Sequence, residues 1–186
     1  MMFINKIRII SYNITVLNRV GDFLNTEMKQ NKINFKMLFL FILMALIAGG
    51  IGALLGGDMK DFNNVQKPVL TPSAITFPIV WTILYILMGI SSYLICCNKT
   101  DQKFIFSACI SYILQLIVNA IWPLIFFRFN LYFIAFLWLI LLIILVINMI
   151  IKFYKLKPLA AILQIPYVIW LIFAGYLNLA IYFLNR

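Results

Sequence analysis

Residues 129–151 read FNLYFIAFLWLILLIILVINMII, without one charged side chain. A helix rises about 1.5 Å per residue, so about 20 mostly apolar residues cross the hydrocarbon core of a bilayer. Four more uncharged stretches pass the same test: Met37–Gly57, Pro68–Asn98, Phe104–Phe127 and Pro158–Asn185. Backbone amides find no partners in lipid, so such stretches cross as helices. The expected fold is an all-α membrane protein, a five-transmembrane-helix bundle. The spans fall at about 37–57, 74–97, 104–127, 130–151 and 158–183, with a cap loop over 58–73 and the membrane domain running from 36 to 186. The second and fifth stretches exceed the length required, so part of each is expected at the interface or tilted. Each begins near a proline, which suits a first helical turn.

Composition agrees. Hydrophobic residues make up 65% of the 186-residue chain and charged residues 11%, against roughly 45–50% and about 25% in soluble domains. A soluble fold of this size cannot hide that much apolar surface, which excludes a soluble enzyme, a nucleic-acid module, a coiled coil and a disordered chain. Histidine is absent, removing the usual proton shuttle, the commonest metal ligand and the usual haem ligand. Cys96, Cys97 and Cys109 form no paired framework or CxxC motif and read as small buried hydrophobes.

The net charge of +10 is unevenly placed. Eleven basic residues fall on one side: Lys6, Arg8, Arg19, Lys29, Lys32 and Lys36 in the N-terminal arm, Lys99 and Lys103 in the second connector, and Lys152, Lys155 and Lys157 in the fourth. Four fall on the other: Lys60, Lys67, Arg128 and Arg186. The positive-inside rule then puts the N-terminus in the cytoplasm and the C-terminus outside, in a bacterial inner membrane. Residues 1–35 form a separate arm. Met28-Lys29-Gln30-Asn31-Lys32 resembles a fresh start, so Met28 is expected to be the native initiator, with an interfacial amphipathic arm as the rival.

Ala45, Gly49, Ala53 and Gly57 recur every fourth residue in the first span, with Ala48, Gly52 and Gly56 on a neighbouring stripe. Small residues let backbones approach closely in lipid. The partner is either another span of the chain or a second copy, making a homodimer seam. No charged residue lies inside any span, which argues against ion-coupled transport and a charged filter. No carboxylate pair, activated nucleophile or metal cluster is present, so no catalytic or metal-binding residue and no resident cofactor is expected. Aromatics are abundant: 17 Phe, 9 Tyr and 4 Trp, the tryptophans one per span in the last four. Gln115, Asn119 and Asn178 should face the interior, because unpaired amides are costly in lipid. These residues read either as inter-helix glue or as an aromatic-walled pocket for a flat apolar ligand.

The order of these residues resembles a known family. Lys67-Pro68-Val69-Leu70-Thr71-Pro72, Phe77, Trp81-Thr82-Ile83-Leu84-Tyr85 and Met88-Gly89 are similar to the first loop and second helix of the TspO/MBR family. Asn119, Trp122-Pro123 and Phe126-Phe127 resemble its third helix; Pro158-Leu159-Ala160-Ala161, Pro166-Tyr167, Trp170, Phe173-Ala174 and Leu177-Asn178 resemble its fifth. The family comprises tryptophan-rich sensory proteins of bacteria and mitochondrial translocator (peripheral benzodiazepine receptor) proteins. The resemblance implies a commonly dimeric five-helix bundle that binds porphyrins and other tetrapyrroles, sterols and isoquinoline-type drugs, under a cap formed by the first loop. It implies a ligand site of Phe62 and Pro72 in the cap, Trp81 and Tyr85, Asn119 and Trp122, and Trp170 and Ala174.

The chain departs from the family pattern in places. Asp61 and Phe62 stand where the family loop usually has Trp-Tyr, Ser73 replaces the second proline of a Pro-Pro, and the segment around Trp138 lacks a frequent acid. Leu179, Tyr182 and Arg186 fit a loose sterol-recognition pattern, which membrane-end anchors explain equally well. The function implied is a sensor, regulator or carrier of tetrapyrroles, with membrane lipid and an apolar small molecule as partners and no nucleic acid. Lacking histidine, it suits a metal-free porphyrin better than haem. The alternatives are light-dependent porphyrin breakdown, as attributed to some relatives, and a membrane partner or regulatory protein without a tetrapyrrole.

Overall fold

A computed structural model describes residues 33–57, 65–97 and 101–186; the expectations for the arm, for Met28 and for Phe62 lie outside them. The described elements are all helical: α1 (Phe35–Gly56), α2 (Thr76–Cys96), α3 (Gln102–Pro123) continued by a π segment (Leu124–Arg128), α4 (Tyr132–Leu156), α5 (Pro158–Ile162) and α6 (Ile165–Leu184). Taking α3 with its π segment and α5 with α6, five helical units are long and apolar enough to cross a membrane. The chain is a multi-pass integral membrane protein.

Local chemistry sets the boundaries, and it corrects several expectations. Pro68 does not open the second span. The Thr71 amide and hydroxyl both donate to the Pro68 carbonyl, at 3.0 and 2.7 Å. This turn, followed by Pro72, keeps the chain irregular until Thr76, where Ser73 and Thr76 hydroxyls pair at 2.9 Å. Asp101 caps α3 by accepting from the Lys103 and Phe104 amides at 3.0 and 3.2 Å. At the other end Pro123 precedes the π turn, which closes with the Phe129 amide on the Leu124 carbonyl at 3.1 Å. Asn130 then takes a left-handed φ of 53°, a conformation Asn tolerates better than most residues, and α4 starts two residues later.

The fourth span runs to Leu156 rather than Ile151, so Lys152 belongs to the helix and not to the connector. Its ammonium donates to the Ser107 hydroxyl at 3.0 Å and the Ser111 hydroxyl at 2.7 Å on α3. A long lysine stem lets this charge find oxygens near a helix end. The fifth span begins at Pro158 as expected but is broken at Leu163–Gln164. Pro166 has no N–H for the Ile162 carbonyl, so the first helix stops and Pro166 sits in the first turn of the next.

The core is built around α4. Ala135, Leu139, Leu142, Val146, Met149 and Phe153 recur at intervals of three and four residues and are all buried. They pack on α3 and α6, while Ile140, Ile144, Ile147 and Ile151 face outward. The small residues of α1 are used within the chain. A Cβ on Gly52 would lie 3.2 Å from the Ala120 Cα on α3, and one on Gly49 would enter the Tyr85 ring. Reciprocally, a Cβ on Gly89 of α2 would meet the Ile42 Cα at 2.5 Å. Gly50 and Ala53 stay exposed on the same helix, as does Gly57 just past its end.

Candidate functional site

The site rests on a periodicity in α2. Phe77, Trp81 and Tyr85 are four residues apart, so their rings lie above one another on one face. Trp81 stacks on Tyr85 with centroids 5.6 Å apart and planes at 29°. Across from them α6 presents Tyr167 and Trp170. Trp81 meets Tyr167 edge-on at 6.2 Å and Phe77 meets Trp170 edge-on at 5.9 Å. The pairs 77–170 and 81–167 step in opposite directions along the two helices, so an antiparallel ladder of rings joins α2 to α6. Edge-to-face and offset-stacked pairs at these separations are mutually attractive and leave ring faces available to a third ring.

Two buried hydrogen bonds fix the ladder to α3. Asn119 Nδ2 donates to the Tyr85 hydroxyl oxygen at 3.1 Å, and the Tyr167 hydroxyl donates to Gln115 Oε1 at 3.1 Å. Gln115 and Asn119 are one helical turn apart, so a single face of α3 holds both phenols. Gln115, Asn119 and Asn178 are buried inside the bundle, as their polarity requires. Several polar atoms remain unpartnered there: Gln115 Nε2, both side-chain atoms of Gln164, the indole nitrogens of Trp122 and Trp170, and Asn178 Oδ1. Buried groups of this kind are normally paired, with a ligand or ordered water where protein offers nothing.

Of the residues expected at the site, Trp81, Tyr85 and Asn119 are brought into direct contact. Trp170 meets Phe77, one helical turn before Trp81. Ala174 lies one turn beyond Trp170, buried, with a small side chain. Pro72 is half-buried in the loop just before α2. Trp122 stacks on Phe126 at 5.0 Å and meets Phe127 edge-on at 5.7 Å, in an aromatic cluster at the end of α3. Phe77, Gln115, Gln164 and Tyr167 were missing from the expected site. The four-residue spacing of Phe77, Trp81 and Tyr85 was the available signal for the first, and an amide inside an apolar span for the two glutamines.

The loop preceding α2 is tied down at its described end. The Gln66 amide donates to Asn185 Oδ1 at 2.9 Å, and Asn185 Nδ2 donates back to the Gln66 carbonyl at 2.9 Å. One side chain at the end of α6 thus satisfies both backbone groups of a loop residue.

Comparison with known proteins agrees with this architecture. The family model described as TspO/MBR matches residues 40–184. The chain is 37% identical over 130 residues to a translocator protein homolog of Schizosaccharomyces pombe, covering 68% of this chain and 78% of that one. It is 32% identical over 154 residues to the tryptophan-rich protein TspO of Archaeoglobus fulgidus, covering 82% and 99%. With the translocator protein of Sus scrofa it shares 31% over 147 residues, covering 76% and 86%. A match over most of the chain, together with five membrane-spanning helices, leads to one statement: this chain belongs to the TspO/MBR family.

Proposed function

We propose that this protein binds porphyrins and related flat tetrapyrroles inside the membrane, as a sensor, regulator or carrier. The observation that carries the reading is the ladder of Phe77, Trp81, Tyr85, Tyr167 and Trp170, beside buried polar atoms without partners. A planar macrocycle gains from ring faces and from burial of its apolar edge. Its pyrrole nitrogens or carboxylates can pair with the indole and amide donors, which removes a desolvation cost. Pro72 and the loop over 58–73 act as the lid, with Phe62 in the place of an aromatic cap residue. The absence of histidine from the sequence favours a metal-free ring.

The bundle sits in a bacterial inner membrane with its N-terminus in the cytoplasm, as the eleven-to-four distribution of basic residues favours. Since Gly49, Gly52 and Gly56 pack within the chain, a homodimer seam on the first span uses Gly50, Ala53 and Gly57 instead.

Absorbance titration of the protein in lipid nanodiscs with protoporphyrin IX, first in the dark, tests the binding reading. A saturable shift of the porphyrin band at micromolar concentration or below supports it. An unshifted band refutes it and turns attention to a protein partner. An irreversible loss of the band on illumination, dependent on Trp81 and Trp170, moves the function to porphyrin breakdown.

A further inference from the structure

Ser107 and Ser111 lie one turn apart on α3, and the Lys152 ammonium on α4 donates to both hydroxyls, at 3.0 and 2.7 Å, and to the Ser107 carbonyl at 3.4 Å. The Ser111 hydroxyl donates in turn to the Ser107 carbonyl at 3.1 Å. These bonds put a polar patch on the α3–α4 seam, and helical register extends it. Lys103 is four residues before Ser107; Asn148 is four before Lys152 and Lys155 three after it, so each falls on the same side of its helix. The patch faces outward: Ser107, Ser111 and Lys152 are half-buried, while Lys103, Asn148 and Lys155 are exposed. Ile147 and Ile151 beside it are exposed as well, as suits contact with lipid tails.

Depth decides what can meet this patch. Helix α4 has 25 residues, about 37 Å of helix against about 30 Å of hydrocarbon. Lys152 lies about 6 Å and Asn148 about 12 Å from its end, which puts the ammonium where headgroups meet tails and the amide just inside. Snorkelling alone would carry a lysine toward water, yet this one is held inward, onto Ser111. Asp101, the one acid among the described residues, is engaged in capping α3, and Lys152 forms no ion pair among them. The Asn148 amide and the Ser107 hydroxyl proton also have no acceptor among the described residues, and an unpaired amide is costly in lipid. The patch therefore offers positive charge and donors at headgroup depth.

We propose that this patch binds one anionic phospholipid of the adjoining leaflet. Its phosphate sits against Lys152 and Lys155 and accepts from the Ser107 hydroxyl. An ester carbonyl accepts from the Asn148 amide, and the tails run along Ile147 and Ile151. Basic clusters between membrane helices suit such headgroups, and here the phosphate neutralises a charge that the described bundle leaves unpaired.

The test is native mass spectrometry of the full chain, delipidated in detergent and titrated with phosphatidylglycerol or with phosphatidylcholine of the same acyl chains. The expected result is one phosphatidylglycerol retained per chain in preference to phosphatidylcholine, and not displaced by millimolar inorganic phosphate. Lys152→Met and Asn148→Leu should each weaken that binding about fivefold, and Arg128→Gln, at the opposite end of α3, should leave it unchanged. Equal retention of the two lipids, displacement by inorganic phosphate, wild-type binding by both patch variants, or an equal loss in Arg128→Gln overturns the proposal. Asn148→Leu keeps every charge and alters only an exposed side chain, so it decides even if Lys152→Met fails to fold. None of these readouts depends on porphyrin binding.

Discussion

Asn119 Nδ2 donates to the Tyr85 hydroxyl across 3.1 Å in the buried interior of the bundle, joining α3 to the helix that carries Trp81. Leaving a buried polar group unpaired costs about 1–3 kcal/mol. Tyr85→Phe strands the Asn119 amide and should lower thermal stability in detergent by that amount. Asn119→Leu removes the amide as well, so the double variant should lose less than the sum of the two single variants. Strict additivity in the unfolding midpoints would show that the bond is not formed.

At Gly89 the backbones of α1 and α2 come close together. A Cβ there would lie 2.5 Å from the Ile42 Cα, whereas at Gly50 it would meet nothing within 4 Å. Gly89→Ala should therefore destabilise the bundle by about 1–3 kcal/mol, the range for overpacking. Gly50→Ala should be neutral or gain up to about 1 kcal/mol from helix propensity. Thermal unfolding of the two variants side by side checks the packing of the first span, and equal midpoints would contradict it.

Asn185 holds the loop through Gln66 with two hydrogen bonds of 2.9 Å. Asn185→Ala should free the loop between α1 and α2 while leaving the helices intact. The expected outcome is faster limited proteolysis between residues 57 and 68, with an unchanged helical circular-dichroism signal. With the loop acting as the lid of the proposed site, the association rate of protoporphyrin IX should rise more than its affinity changes. Stopped-flow quenching measures this, and an unchanged association rate would mean that the loop does not cover the entrance.

Trp138 serves as an internal control. Its indole donates to the Val118 carbonyl at 2.7 Å, so it is engaged in holding α4 to α3 rather than in facing a ligand. Trp138→Phe should cost about 1 kcal/mol in stability and leave porphyrin affinity unchanged in the same titration.

The spans were legible because each is an uncharged run of about 20 residues, a demand of the bilayer that no tertiary contact overrides. Their ends were less so. Pro68 looked like a helix start, but Thr71 bonding back to its carbonyl turns the chain away. Lys152 looked like a connector residue because charge argues against a span, yet Ser107 and Ser111 supply oxygens that hold it on α4. The site was half legible. Trp81, Tyr85 and Asn119 do meet, whereas Trp122, one turn along the same helix, engages Phe126 and Phe127 instead. Gln164 was missed because its importance follows from the break before Pro166, which places an amide inside the bundle. Small-residue periodicity in α1 announced close packing without naming a partner; only the positions of Ile42 against Gly89 and Ala120 against Gly52 do so.

The most direct measurement is tryptophan-fluorescence titration with protoporphyrin IX in the dark, comparing the wild type with the Trp81→Phe/Trp170→Phe variant. Two indoles, each worth roughly 0.5–1.5 kcal/mol in ring contacts beyond buried area, should weaken binding about 5–150-fold when both are replaced, while the variant keeps the wild-type melting temperature to within a few degrees. Saturable quenching in the wild type, weakened to that degree in the variant, is the expected result. Equal affinity in the two proteins would contradict a site walled by the α2–α6 ring ladder, and quenching that never saturates would contradict porphyrin binding altogether.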